Sequence, residues 1–165
     1  MNTSHDSVPT ASGYAHATTA GDHAHATTAG SYANATTAGD EAHATTAGGY
    51  AHATTAGDEA HATTVGNDAN ATTAGYSAHA TTTGRLAHAL TTGRRSNASV
   101  SGENSIAVAI GYNSSARAAN GGFIVLAQYD GDTVVAVKTA QVGRDGIKPD
   151  TWYKLSPTGE FVEAE

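Results

Sequence analysis

Histidine is the residue here with the widest chemical reach, and it recurs at a fixed interval. His25, His43, His61 and His79 lie eighteen residues apart, with Asn97 at the next step, and a second series runs His16, Asn34, His52, Asn70 and His88. If positions eighteen apart stack on neighbouring strands, their side chains form columns with a spacing of about 4.8 Å. Imidazoles so placed have two uses. They can chelate Zn, Cu or Ni in pairs, since imidazole suits those ions, or they can form a titrating column whose charges repel once the rings protonate near pH ~6.5. The asparagines speak against chelation and for a stacked polar ladder, because Asn keeps a hydrogen-bonding group but is a poor ligand for such metals. A stacked polar ladder with no metal or other cofactor is expected, and with it a coil that loosens in acid.

Two more series share the interval. Asp22, Asp40 and Asp58, followed by His23, Glu41 and Glu59, make an acidic strip, and Tyr14, Tyr32 and Tyr50 make an aromatic one. Both are candidate binding edges. The acidic strip can act as a mimic of nucleic-acid phosphates or be only a solvated edge, and Arg85, Arg94 and Arg95 interrupt its sign further along. The threonines are similar to the ranks displayed by ice-binding solenoids. Here, however, they come as adjacent pairs such as Thr27-Thr28, so only one of each pair can face a given side. Glycosylation sequons at Asn34, Asn70 and Asn97 arise wherever Asn replaces His ahead of A-T or A-S, and are by-products of the repeat. There is no nucleophile with a base, no phosphate loop and no pair of carboxylates in a pocket-forming context. No catalytic residue is assigned, and the chain is not expected to be an enzyme.

The elements that must hold these columns are nonapeptides. Gly21, Gly30, Gly39 and every ninth residue onward to Gly111 are glycine, and Ser12 occupies the same slot one repeat earlier. The consensus is G-x-x-A-H-A-T-T-A, seen at Gly39 to Ala47, and a short fixed period of this kind is the mark of a solenoid. Glycine supplies a turn needing φ > 0 or close backbone approach, and A-H-A-T-T alternates as a strand does. Tyr and Asp occur in alternate repeats, so the structural coil is expected to hold eighteen residues in two short strands. Six such coils make a rod near 30 Å long. The expected fold is all-β: a parallel β-solenoid over residues 12–120, after a disordered tail over 1–11.

Within each strand Ala24 and Ala26 share one face and His25 and Thr27 the other. The alanine face suits the interior of a flattened coil. Yet Ile106, Val108 and Ile110 sit in the outer-face slots of a late repeat. Either that face turns inward or neighbouring protomers of a homo-oligomer cover it, and the second is favoured because alanines left in water would waste most of the apolar area.

Composition agrees. Apolar residues make up 39%, but most are alanine, with one Met, one Trp and two Phe, so no thick core is expected over most of the length. After Asn120-Gly121-Gly122 the repeat stops. Phe123–Tyr129 and Val134–Thr139 then read as strands joined by Asp130-Gly131-Asp132, and Thr151–Leu155 and Glu160–Val162 as two more. Residues 121–165 are expected to form a small antiparallel β cap that keeps the terminal strand from pairing without limit. Trp152 is expected to pack there. The net charge is −7, spread over both segments with no basic footprint, so direct nucleic-acid binding is not expected. Cysteine is absent, no apolar run approaches a membrane span, and MNTSHDSVPTAS has no export-signal character. The bacterial cytoplasm or a phage particle is the expected setting.

The stretch Ser101-Gly102-Glu103-Asn104-Ser105-Ile106-Ala107-Val108-Ala109-Ile110-Gly111 resembles the head repeats of trimeric autotransporter adhesins, whose motif runs close to G-x-N-S-V-A-I-G. The resemblance is specific over about ten residues and loose elsewhere, and similar repeats occur in phage fibres. It implies a left-handed parallel β-roll, a trimer, and contact with a protein or glycan surface ligand. No signal peptide, stalk or anchor is expected from these residues, and the period is shorter than usual. The other expectation is a cytoplasmic phage-encoded interaction protein, an inhibitor or DNA mimic, using the acidic or tyrosine edge.

Overall fold

The computed structural model describes residues 8–11, 13–144 and 146–164, with the backbone alone at 8–11. Seventeen strands and no helix are found among them. They are β1 (Val8–Ala11), β2 (His16–Ala20), β3 (His25–Ala29), β4 (Asn34–Ala38), β5 (His43–Ala47) and β6 (His52–Ala56). Then come β7 (His61–Val65), β8 (Asn70–Ala74), β9 (His79–Thr83), β10 (His88–Thr91), β11 (Asn97–Val100), β12 (Ile106–Ala109) and β13 (Ser115–Ala118). The last four are β14 (Phe123–Asp130), β15 (Thr133–Gln141), β16 (Tyr153–Leu155) and β17 (Phe161–Glu163).

Odd strands up to β13, then β16 and β17, form one nine-stranded sheet, and even strands, β14 and β15 form an eight-stranded partner. Every rung from β2 to β13 pairs in parallel with the strand eighteen residues away, His25 against His43 and Ala26 against Ala44. The chain is thus a parallel β-solenoid of about six coils, two nonapeptides to a coil. The expected face assignment holds: Ala24, Ala26 and Thr28 point inward, while His25, Thr27 and Ala29 point outward.

Glycine opens each repeat for a steric reason. At Gly57 φ is +149°, and a Cβ there would overlap the carbonyl oxygen of Gly39 one coil earlier, so no side chain fits between the stacked turns.

The ladder reaches further than the repeat pattern in both directions. Val8–Ala11 pairs with β3 in register, Val8 against Ala26, so the tail expected over 1–11 is corrected at 8–11. V-P-T-A stands where later coils have A-T-T-A, and Pro9, which lacks an amide hydrogen, is tolerated because β1 is an edge strand. The expectations for residues 1–7 and for Ser12 fall outside the described residues. At the other end β14 is still a parallel rung on β12, with Phe123 against Ile106. The change of composition near residue 120 is therefore no break in the sheet.

Direction reverses only afterwards. β15 returns antiparallel on β14 through the turn at Gly131 (φ +57°), β16 meets β13 antiparallel at Ala116 and Tyr153, and β17 closes the sheet. Both sheets thus end in antiparallel strands, as expected of a cap. The core thickens toward it. In the inward rank of the first sheet Thr82 gives way to Val100, and in the second Thr91 is followed by Ala109 and Leu126. Val142, Ile147 and Tyr153 complete the interior there. Trp152 lies against the Arg117 guanidinium, 4.7 Å from its ring centroid.

Candidate functional site

Exact register converts the histidine series into a stack. The rings of His25 and His43 are 4.9 Å apart, and those of His43 and His61 and of His61 and His79 are 4.8 Å apart, all within 8° of parallel. The column ends in hydrogen bonds: Asn97 Nδ2 meets His79 Nδ1 at 3.4 Å, and Ser115 donates to Asn97 Oδ1. Partial burial holds the pKa of His43 below its ordinary value, with the neighbouring charges of His61 and His25 acting the same way and Glu41 opposing. Burial does the same at His61, aided by His79, and alone accounts for the lowering at His79. Glu41, Glu59 and Ser77 form the other wall of a shallow groove beside His43, His61 and His79. Among the described residues no group of three or more His, Cys, Asp or Glu side chains is arranged to hold a metal ion.

The two binding-edge candidates lie on opposite turns. Tyr14, Tyr32 and Tyr50 stand on the turn leading into the even strands, stacked at 5.1 Å and well exposed. Asp22, Asp40 and Asp58 stand on the turn leading into the odd strands, and their carboxylates have a structural task. Asp22 Oδ1 accepts the Asp40 amide at 3.3 Å, Asp40 Oδ1 the Asp58 amide at 2.9 Å, and Asp58 Oδ1 the Tyr76 amide at 2.7 Å. The acidic strip is a clamp between successive coils. In the lower coils the Tyr and Asp turns also differ in conformation, a difference that ends at Asp68 and Leu86 of the tyrosine edge, with φ of +56° and +58°. His23, Glu41 and Glu59 adopt φ of +59°, +56° and +56° and donate their amides to the coil above, whereas Tyr32 donates to Gly13 in the coil below.

Two features were not assigned from the sequence. The first is an aromatic and basic cluster where the acidic strip ends: Arg94 lies over Tyr112 at 4.8 Å and reaches Asp132 at 3.6 Å, while Arg95 Nη1 donates to the Tyr76 hydroxyl at 2.7 Å. Its signal was the sign change at Arg94-Arg95. The second is a pocket of 320 Å³ where the last repeat turn meets the cap, lined by the apolar Ala127, Leu155 and Val162 and by Tyr112, Asn113 and Lys154. It forms through the antiparallel return of β16 and β17, which no periodicity encodes. No protein-family model matches the chain, and no curated protein or solved structure matches it either.

Proposed function

We propose that the chain is a structural and binding module of the adhesin-head or phage-fibre kind, associating as a trimer and contacting a protein or glycan surface ligand. The observation that carries self-association is the change of one outer face. In the even sheet the outward ranks hold His or Asn, Thr and the small Ala through the lower coils, then the large Leu90, Ile106, Val108, Ile110, Phe123 and Val125 over the last three rungs, all half-buried or exposed. The equivalent face of the odd sheet stays polar with Asn97, Ser99, Ser115 and Arg117. A patch of large apolar side chains on this face, with polar residues on the same rungs of the other sheet, fits a contact surface. Covering it contributes on the order of 1 kcal/mol per large side chain. The number three and the surface role come from the resemblance of Ser101 to Gly111 to adhesin heads.

The test is sedimentation of the full chain, followed by binding to intact cells. A trimer that binds cells supports the proposal, and a monomer at high protein concentration sinks it. The stacked and exposed tyrosines favour a second reading, a soluble interaction protein that docks a host protein on that edge. Recovery of one stoichiometric host protein, lost on Tyr32→Ala, would select it.

A further inference from the structure

Throughout the solenoid one backbone amide in each turn of the Asp-bearing edge is committed to the coil above. His23 donates to the Asp40 carbonyl and Glu41 to Asp58 at 2.8 Å, Glu59 to Tyr76 at 2.8 Å, and Ser77 to Arg94 and Arg95 to Tyr112 at 2.9 Å. Asn113 is the sixth member of this series and has the same left-handed conformation, φ +54°. Above it no seventh turn follows, because β14 runs on into the hairpin with β15. The Asn113 amide consequently donates to no acceptor among the described residues. The space a seventh turn would take is the pocket at the cap, and β16, β17 and Tyr129 supply its remaining walls.

These walls specify a ligand. Lys154 lines the pocket and, among the described residues, enters no ion pair, whereas Lys148 is bound to Glu163 and Arg94 to Asp132. An oxyanion bound in this pocket would have two donors among its lining residues, the Asn113 amide and the Lys154 ammonium, the second charge-assisted. Ala127, Leu155 and Val162 offer apolar lining, and the edge-to-face pair Tyr112 and Tyr129, 5.5 Å between centroids, offers aromatic surface. A small body with an apolar face and a carboxylate matches these, and a pyranose acid carries both. The volume, at the lower end of the about 300–1,000 Å³ usual for ligand sites, fits one or two sugar units. A peptide would bind best as an added strand along a free sheet edge, and this pocket is at a turn.

We propose that the turn at Tyr112 to Ser114, together with Lys154, is a binding site for a carboxylate-bearing sugar residue. The proposal deepens the reading of the chain as a surface-contact module by naming the class of glycan, but its test uses the isolated full chain and does not need cell binding or a trimer. The isotope-labelled protein is titrated with sodium galacturonate while the Asn113 amide resonance is followed, with galactose, acetate and a short glutamate peptide as comparison probes. The expected result is a saturable shift of the Asn113 amide with a Kd of about 1 mM, and weaker shifts with each of the other three. Lys154→Gln should weaken binding by roughly tenfold or more, the loss of one charge-assisted contact, with the melting temperature unchanged, while Lys154→Arg retains it. An unmoved Asn113 amide, an equal response to acetate or to the peptide, or a Lys154→Gln protein that binds as the parent does would each overturn the site. If the titration succeeds while the chain fails to bind cells, the sugar site stands and the surface role falls.

Discussion

The imidazoles of His43 and His61 lie face to face, 4.8 Å apart and 3° from parallel. Neither ring can take a proton without meeting the other, and both are already held below the ordinary histidine pKa by burial, with neighbouring histidines adding to it. A folded-state pKa below the unfolded value of about 6.5 means that the unfolded chain binds more protons in the interval between them. The stability tied to neutral rings is thus fully present above pH ~6.5 and is lost as pH falls through the folded values. Glu41 opposes the lowering at His43 without reversing its sign. The urea midpoint should be lower at pH 5 than at pH 8, and the double variant His43→Asn, His61→Asn should narrow that difference. Equal midpoints for the parent protein at the two values would end the idea.

A second prediction concerns the core. Thr28, Thr46, Thr64 and Thr82, and in the other sheet Thr37, Thr55 and Thr73, are fully buried with no hydrogen-bond partner for Oγ1 within the described protein. An unpaired hydroxyl in such a site costs about 1–3 kcal/mol. Val100 already occupies the same rank as Thr82 one coil on, so the branched shape is accepted there. Thr64→Val should raise stability by about 1 kcal/mol, measured by urea denaturation, and Thr46→Val, Thr64→Val together by more. A loss of stability in either variant would show that the hydroxyls are not the liability their surroundings imply.

Much of this architecture is legible in the sequence because a solenoid translates period directly into position. Gly every ninth residue places the turns, and the Tyr and Asp alternation gives the eighteen-residue coil whose register pairs His43 with His61. What escaped was whatever does not repeat. Val8–Ala11 has no glycine or histidine to mark it, although it forms the first rung. The work of Asp58 is invisible in composition, because its partner is a backbone amide eighteen residues away. The antiparallel strands of the cap were legible from their turns, but the Lys154 pocket depends on where β16 and β17 settle beside the last repeat turn, and that placement leaves no mark in alternation.

Asp58 supplies a third test. Its Oδ1 accepts the Tyr76 amide at 2.7 Å, and the equivalent bond on the opposite edge is made by Asn67 to the Arg85 amide at 3.0 Å. An amide oxygen therefore serves in place of a carboxylate. Asp58→Asn should leave the melting temperature nearly unchanged, while Asp58→Ala should cost about 1 kcal/mol. If the two variants lose the same amount, the carboxylate charge and not the clamp is what matters, and the acidic strip returns as a candidate partner surface.

The last prediction separates the solenoid's own stability from association. Ile106 and Val108 are paired with His88 and Leu90 one coil earlier, and those in turn with Asn70 and Thr72. The lower coil thus shows which side chains this outward face carries when nothing needs to cover it. Restoring them in the upper coil, as Ile106→Asn with Val108→Thr, removes two large apolar side chains from the surface without touching the inward Ala107 and Ala109. The isolated coil should keep its circular dichroism spectrum, since neither position fills the interior. Association should weaken instead. With on the order of 1 kcal/mol for each buried apolar side chain, the dissociation constant of each subunit contact rises by roughly tenfold or more, read as a concentration-dependent fall in native mass. An oligomer of unchanged tightness in this variant would place the contact elsewhere, with the exposed Val134, Val135 and Val137 of β15 the next surface to alter.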